Sequence, residues 1–124
     1  MMNLAQSVRI FVCTEPTDMR RGFDGLSGMA EHLLQQDPLS GHLFVFRNRV
    51  RNRLKILYWD GDGLAVWYKR LEQGTFQLPT DLFPADSKPA GAEITASDLS
   101  LLLGGIELKS VKRRPRYERP KKPR

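Results

Sequence analysis

Cysteine is almost absent from this chain. Cys13 is the single one, so an internal disulfide and a zinc site of the usual Cys-based kind are excluded. Its place in the apolar run IFVC points to packing. Histidine is scarce as well: His32 and His42 are the two present, and neither has a Cys partner or a Ser arrangement suited to nucleophilic catalysis. Long apolar runs are missing. The run LFVF, Leu43 to Phe46, falls far short of the roughly 20 residues that span a bilayer, so no transmembrane helix is expected. The N-terminal MMNLAQSVRI has no basic start followed by an apolar core and a small-residue cleavage site, and the expected location is cytoplasmic. Asp18, Asp24, Asp60 and Asp62 could in principle supply a two-metal nuclease centre. Acids at turns and helix starts are more often caps, so we expect no catalytic residue, no metal and no cofactor.

With 124 residues and 40% hydrophobic content, the chain can bury one modest core, and a single domain over residues 1–108 is expected. The net charge of +6 is unevenly distributed. From Lys109 to Arg124 nine Lys or Arg face one acid, a net +8, whereas residues 1–108 hold eleven bases and thirteen acids, a net −2. The basicity therefore belongs to the tail. Within the body, five of those eleven bases fall in FRNRVRNRLK, Phe46 to Lys55.

The pattern along the chain is α+β. VRIFVCT, Val8 to Thr14, reads as a strand. Met19, Phe23, Leu26, Ala30 and Leu33 recur at helical spacing and predict a helix running to about Gln36, capped by Thr14 or Thr17 and stopped by Asp37 and Pro38. HLFVFR, RLKILYWDG, GLAVWYKRL and TFQLP follow as strand-like segments joined by NRVRN, DGDG and EQG, short enough for antiparallel hairpins. A surface loop is expected from Pro79 to Gly91. Thr95 with Asp98 resembles a capping box, and Leu99, Leu102, Leu103 and Ile106 give a short helix closed by Gly104 and Gly105. Residues 109–124, with Pro115, Pro120 and Pro123 and almost no apolar side chains, read as a disordered basic tail. The expected architecture is an antiparallel β-meander of about four to five strands, one longer N-terminal helix, one short C-terminal helix and that tail.

Arg47, Arg49, Arg51, Arg53 and Lys55 occupy every second position. In extended chain, alternate residues share a face at about 6.8 Å, a spacing close to that of phosphates along a strand, and Asn48 and Asn52 add hydrogen-bonding groups. The opposing reading is a solvated hairpin tip, where only Arg47, Arg53 and Lys55 on the flanks hold a defined direction. Lys69 and Arg70 end the next strand and extend the candidate DNA surface, as do Lys112, Arg113, Arg114 and Arg116 in the tail. A flexible basic arm binds polyanions through counterion release, and it equally suits acidic protein surfaces.

Trp59, Trp67, Tyr58 and Tyr68 are candidate stacking or docking groups, and alternation puts each Trp on the face opposite its neighbouring Tyr. DGDG at Asp60 to Gly63 fails as a calcium loop because Ala65 and Leu71 stand where a Gly and a bidentate Glu are needed, so a hairpin turn is expected. RRGFDGLSG matches no phosphate-loop pattern. Gly22, Gly25 and Gly28 suit close approach of a helix to a sheet, and Arg20 and Arg21 remain candidate anion contacts.

TDMRRGFDGL, GHLFVFRNR, RLKILYWDGDGLAVWYKRLEQGTFQLP and LSLLLGGIEL, in that order, give the chain a specific resemblance. Over about residues 7–108 it resembles the TnpB accessory proteins encoded by the second reading frame of bacterial insertion sequences of family sixty-six. These differ from the RNA-guided nucleases that share the TnpB name. The resemblance implies a non-catalytic protein needed for transposition, acting beside a helix-turn-helix accessory protein and a separate transposase that carries the catalytic acids. It hands over no catalytic residue. One departure lies at the hairpin tip, where members often have R-G-D or a similar Gly-containing turn and this chain has Val50, Arg51 and Asn52. Two roles follow as expectations: contact with DNA at the element ends, or a protein-only scaffold docked on the transposase through Trp59, Trp67 and Tyr68.

Overall fold

A computed structural model describes residues 7–78, 81, 90–104, 106–107 and 112–113. The elements run β1 (Ile10–Cys13), α1 (Phe23–His32), β2 (Leu43–Arg47), β3 (Arg53–Trp59), β4 (Leu64–Arg70), β5 (Gly91–Ile94), α2 (Ala96–Gly104), β6 (Ile106–Glu107) and β7 (Lys112–Arg113). Five strands form one sheet in the order β4-β3-β2-β1-β5, and β6 pairs with β7 separately. The fold is α+β, as the sequence pattern indicates.

β2, β3 and β4 form the expected antiparallel meander. The first strand departs from it. β1 pairs parallel to β2, with Phe11 opposite Phe44, because α1 lies between them in the chain and carries it back to the starting end of the sheet. A parallel pair requires such a crossover. The last strand is also not the expected one. Thr75 to Leu78 are assigned to no strand, and the edge next to β1 is taken by β5, which begins at Gly91, the last residue of the segment read as loop. The alternation in TFQLP is real, since Phe76 and Leu78 are fully buried. Those side chains close the core across the open end of the meander, tied there by the Phe76 amide donating to the Arg51 carbonyl at 2.7 Å.

Alternation along the strands divides the core in two. Ile10, Val12, Leu43, Val45, Leu54 and Ile56 face α2 and the Phe76–Leu78 segment. Phe11, Cys13, Phe44, Phe46 and Leu57 face Leu26, Ala30 and Leu34 on the α1 side. Each fully buried aliphatic side chain contributes roughly 1.5–3 kcal/mol, so both helices are held chiefly by their apolar faces.

α1 starts later than the periodicity suggests. Its N-cap is Gly22, which makes no side-chain cap bond, and the residues before it form a turn in which the Arg21 amide donates to the Asp18 carbonyl at 3.1 Å. A Cβ on Gly25 would lie 3.2 Å from Arg21 Cβ, whereas Gly22 and Gly28 face open space. The close approach thus involves the preceding turn at one glycine, and not the sheet at three. α2 begins with a reciprocal capping box: the Asp98 amide donates to Thr95 Oγ1 at 3.0 Å and the Thr95 amide to Asp98 Oδ2 at 3.1 Å. β7 lies inside the stretch read as a disordered tail. The remainder of that stretch, with Arg114 and Arg116, lies outside the described residues.

Candidate nucleic-acid interface at the β2–β3 turn

The alternating bases of FRNRVRNRLK do not form one ribbon face. Arg47 closes β2 on the same face as Leu43 and Val45, and it is 7% exposed. Its guanidinium makes a bidentate pair with Asp81, both contacts at 2.8 Å, and also donates to the Phe76 carbonyl at 2.8 Å. Asp81 accepts a further bond from the Leu78 amide at 2.9 Å. Burial pushes the Asp81 carboxyl up, and the hydrogen bonds from Arg47 and Leu78 outweigh it, so its pKa sits below the ordinary carboxylate value. The expectation that Arg47 offers an outward charge is corrected: an interior arginine needs its acid, and here it has one.

Lys55 is corrected in the same way. It points toward α1, is 9% exposed, and donates to the Met19 and Arg21 carbonyls at 2.7 and 2.9 Å, with the Tyr68 ring centroid 4.7 Å from its Nζ. An ammonium has three donors; two of them clamp the turn that leads into α1, and the ring faces the charge.

The turn itself is built rather than loose. Asn48 Oδ1 accepts from the Arg53 amide at 2.9 Å, and Asn48 Nδ2 donates to Asn52 Oδ1 at 2.7 Å. The Arg51 amide reaches the Asn48 carbonyl at 3.1 Å, and the Leu71 amide donates to the Asn52 carbonyl at 2.7 Å. Asn48 and Asn52, read from sequence as groups for phosphate or base edges, therefore bond to each other and to the turn. Arg51 adopts φ +66°, the left-handed conformation that a glycine accepts most readily. It stands in the tip where members of the resembled family often have a Gly-containing turn.

What remains outward is a smaller set. Arg49 is exposed and makes no ion pair among the described residues. Arg51 is half-exposed, 3.7 Å from Asp81 Oδ2. Arg53 donates to Tyr68 Oη at 3.2 Å and makes no ion pair among the described residues. The register pairs Arg53 with Arg70 and Leu54 with Lys69, so Arg53 and Arg70 project on the α1 side and Lys69 on the α2 side of the same sheet end. Lys69 is exposed, while Arg70 pairs with Glu72 at 2.8 Å. Arg20 is held by Asp18 at 2.7 Å, and this bond keeps the Asp18 carboxyl at about 2. Arg21 is exposed with no ion pair among the described residues. Lys112 and Arg113 are placed only by the pairing of β7 with β6.

The aromatic candidates divide between the two faces. Trp67, opposite Ile56, packs against the α2-side core beside Tyr58, whereas Tyr68, opposite Lys55, is 46% exposed on the α1 side. Trp59 shares the Tyr68 side but sits at the far end of β3, opposite Leu64. Trp59, Trp67 and Tyr68 thus form no common surface.

Some of the residues weighed for catalysis occupy structural places. Asp60 and Gly63 close the β3–β4 turn, the Asp60 amide donating to the Gly63 carbonyl at 2.8 Å, with Gly61 at φ +76°. The Asp62 amide also donates to the Asp60 carbonyl at 2.8 Å, an i→i+2 bond that with the positive φ of Gly61 makes a γ-turn at the hairpin tip. His42 Nδ1 accepts from the Arg9 amide at 2.9 Å, and burial pushes the Cys13 thiol up, away from the reactive thiolate. Asp81 and the Met19 and Arg21 carbonyls were not singled out from sequence. One signal existed: in LFVFR, Arg47 continues the alternation of Leu43 and Val45, which marks it as facing the core.

The family model described as IS66 Orf2 like protein matches residues 8–113. Among curated relatives, "Uncharacterized protein y4jC" of Sinorhizobium fredii (strain NBRC 101917 / NGR234) is 38% identical over 122 residues, covering 98% of each chain. "Uncharacterized protein y4hO" of the same organism is 37% identical over 107 residues, covering 86% of this chain and 88% of that one. No solved structure matches. No helix among the described residues is long and apolar enough to cross a membrane. The match over most of the chain, with the two relatives, shows that this protein belongs to the IS66 Orf2-like family and so to the accessory proteins of insertion-sequence transposition.

Proposed function

We propose that this accessory protein contacts DNA at the element ends through the β2–β3 turn and the adjoining end of the sheet, during assembly with the transposase and the helix-turn-helix accessory protein. The observation that carries the reading is the set Arg49, Arg53 and Lys69: three bases at one sheet end with no acid partner among the described residues, in a body whose net charge is otherwise slightly negative. The Asn48–Asn52 clamp holds the turn before any ligand arrives. Phosphate binding then needs little further ordering of the backbone. Tyr68, oriented by Arg53 and half-exposed, supplies a ring beside those charges for a sugar or base. Arg51, Arg70 and the tail bases Lys112, Arg113, Arg114 and Arg116 add an electrostatic contribution without sequence preference.

A gel shift on element ends across a salt series, with and without the transposase, tests this. Changing Arg49, Arg53 and Lys69 together to Ala removes up to three phosphate contacts, and the slope of log K against log salt is expected to fall by about 2–3. Truncation after Leu108 lowers the slope further. Unchanged affinity and slope in both variants overturn the DNA reading. The alternative of a protein-only scaffold predicts transposase pull-down after nuclease treatment, lost in Tyr68→Ala. It has less support, because Trp59, Trp67 and Tyr68 share no surface.

A further inference from the structure

The two edges of the sheet differ in how they end. β5 is four residues long, begins at a glycine, and carries Glu93 paired with Arg9 at 2.6 Å. β4 is seven residues long with neither Pro nor Gly, and Leu64, Ala65, Val66 and Trp67 are each only partly buried. Short or charged edges resist pairing, whereas a long apolar one is a template for another strand.

The ladder with β3 determines which backbone groups of β4 point outward. The Asp60 amide bonds to the Gly63 carbonyl and the Leu71 amide to the Asn52 carbonyl. In an antiparallel register, every second pair exchanges hydrogen bonds. Ala65, Trp67 and Lys69 therefore bond to β3, and Leu64, Val66, Tyr68 and Arg70 direct their N–H and C=O away from the sheet.

We infer that this edge pairs with β4 of a second copy of the chain, antiparallel about a two-fold axis at Val66. An antiparallel partner must set outward residues against outward residues, so the axis falls on a residue and not between two. At Val66 the arrangement places Leu64 opposite Tyr68, Ala65 opposite Trp67 and Asp62 opposite Arg70, each pair occurring twice. The charge pattern is self-complementary, because the strand is acidic just before its start and basic at its end. The small Ala65 side chain leaves room for Trp67. Moving the axis to Trp67 sets Asp62 against Glu72 and Leu64 against Arg70. Moving it to Ala65 sets Tyr68 against Asp62 and leaves Trp67 facing Gly63. Arg70 exchanges its exposed bond with Glu72 for one with the partner copy. The dimer continues one sheet through both copies and projects the two β2–β3 turns from opposite ends of the shared ribbon, since Arg53 lies beside Arg70.

The test is sedimentation or light scattering on the full chain up to about 1 mM, where weak association registers. The wild type is expected to approach twice the 14.2 kDa chain mass. Asp62→Arg alone and Arg70→Asp alone each set like charges opposite one another and shift the mass toward one chain. Mixed together, the two variants regain opposite charges at both ends and form a heterodimer. Val66→Pro removes an outward N–H at the axis while leaving the bonds to β3, and is expected to be monomeric with an unchanged circular dichroism spectrum. Should it misfold, the charge-swapped mixture still decides. A monomeric wild type, dimers persisting in both single variants, or a mixture that stays monomeric overturns the inference. None of these outcomes depends on DNA binding.

Discussion

Replacing Asp81 with Ala leaves the Arg47 guanidinium in the interior with its bidentate acid gone. Arg47 and Asp81 side chains are 8% and 10% exposed, so water cannot easily replace the lost partner. Removing one member of a buried ion pair costs about 3–5 kcal/mol, and the Leu78 amide loses its acceptor in the same change. Against a typical stability of about 5–15 kcal/mol, that is a large fraction. With a urea m-value of about 2 kcal/mol/M, the midpoint should fall by about 2 M. The double variant Arg47→Met with Asp81→Ala no longer strands a charge and is expected to recover about 2 kcal/mol of the loss, which a double-mutant cycle reads as coupling. It is also expected to keep its affinity for element ends, since Arg47 is an interior group. A single-variant loss under about 1 kcal/mol, or a marked loss of DNA binding in a folded double variant, would refute the reasoning. The pH dependence follows with a definite sign. The folded carboxyl of Asp81 is depressed, so its contribution is present above the unfolded value of about 3.9 and is lost as pH falls through the folded value. Asp81→Ala should lack that part of the acid-induced loss.

Lys55→Met removes the ammonium that clamps the Met19 and Arg21 carbonyls. A loss of about 1–3 kcal/mol is expected in chemical denaturation, with faster amide exchange in the turn before α1 than in β2. Arg51→Gly relieves the left-handed backbone at the β2–β3 turn and is expected to be neutral to about 1 kcal/mol more stable, while lowering the salt slope of DNA binding. Gly91→Ala brings a Cβ within 2.4 Å of Leu34 Cδ2. Leu34 is a flexible side chain but a buried one, so thermal unfolding should show about 1–2 kcal/mol of destabilisation, reduced when Leu34 is also shortened to Ala.

Much of the fold that carries the site could be read from short-range pattern. The strands β2, β3 and β4 alternate plainly and their turn signals are local. Asp-Gly fits the Asp60–Gly63 hairpin, and Thr95 with Asp98 makes the capping box at α2. Arg47 and Lys55 were misplaced for a single reason. A basic residue in a strand carries no mark of whether an acid or a pair of carbonyls waits on its face, and Asp81, Met19 and Arg21 lie more than thirty positions away in the chain. TFQLP was misread because alternation reports burial on one side, and a segment crossing the open end of a sheet buries alternate side chains as a strand does.

By itself the sequence determined the α+β class, the α1 and α2 segments, the β2–β3–β4 meander and the family, since each rests on local periodicity or on an ordered set of motifs. Tertiary structure alone decided the parallel pairing of β1 with β2, the use of Gly91–Ile94 as the last strand, and the sorting of bases into interior and surface. The physical reason is common to all three. Which backbone edge is open, and which acid or carbonyl lies across from a cation, is settled only when distant segments of the chain are brought together.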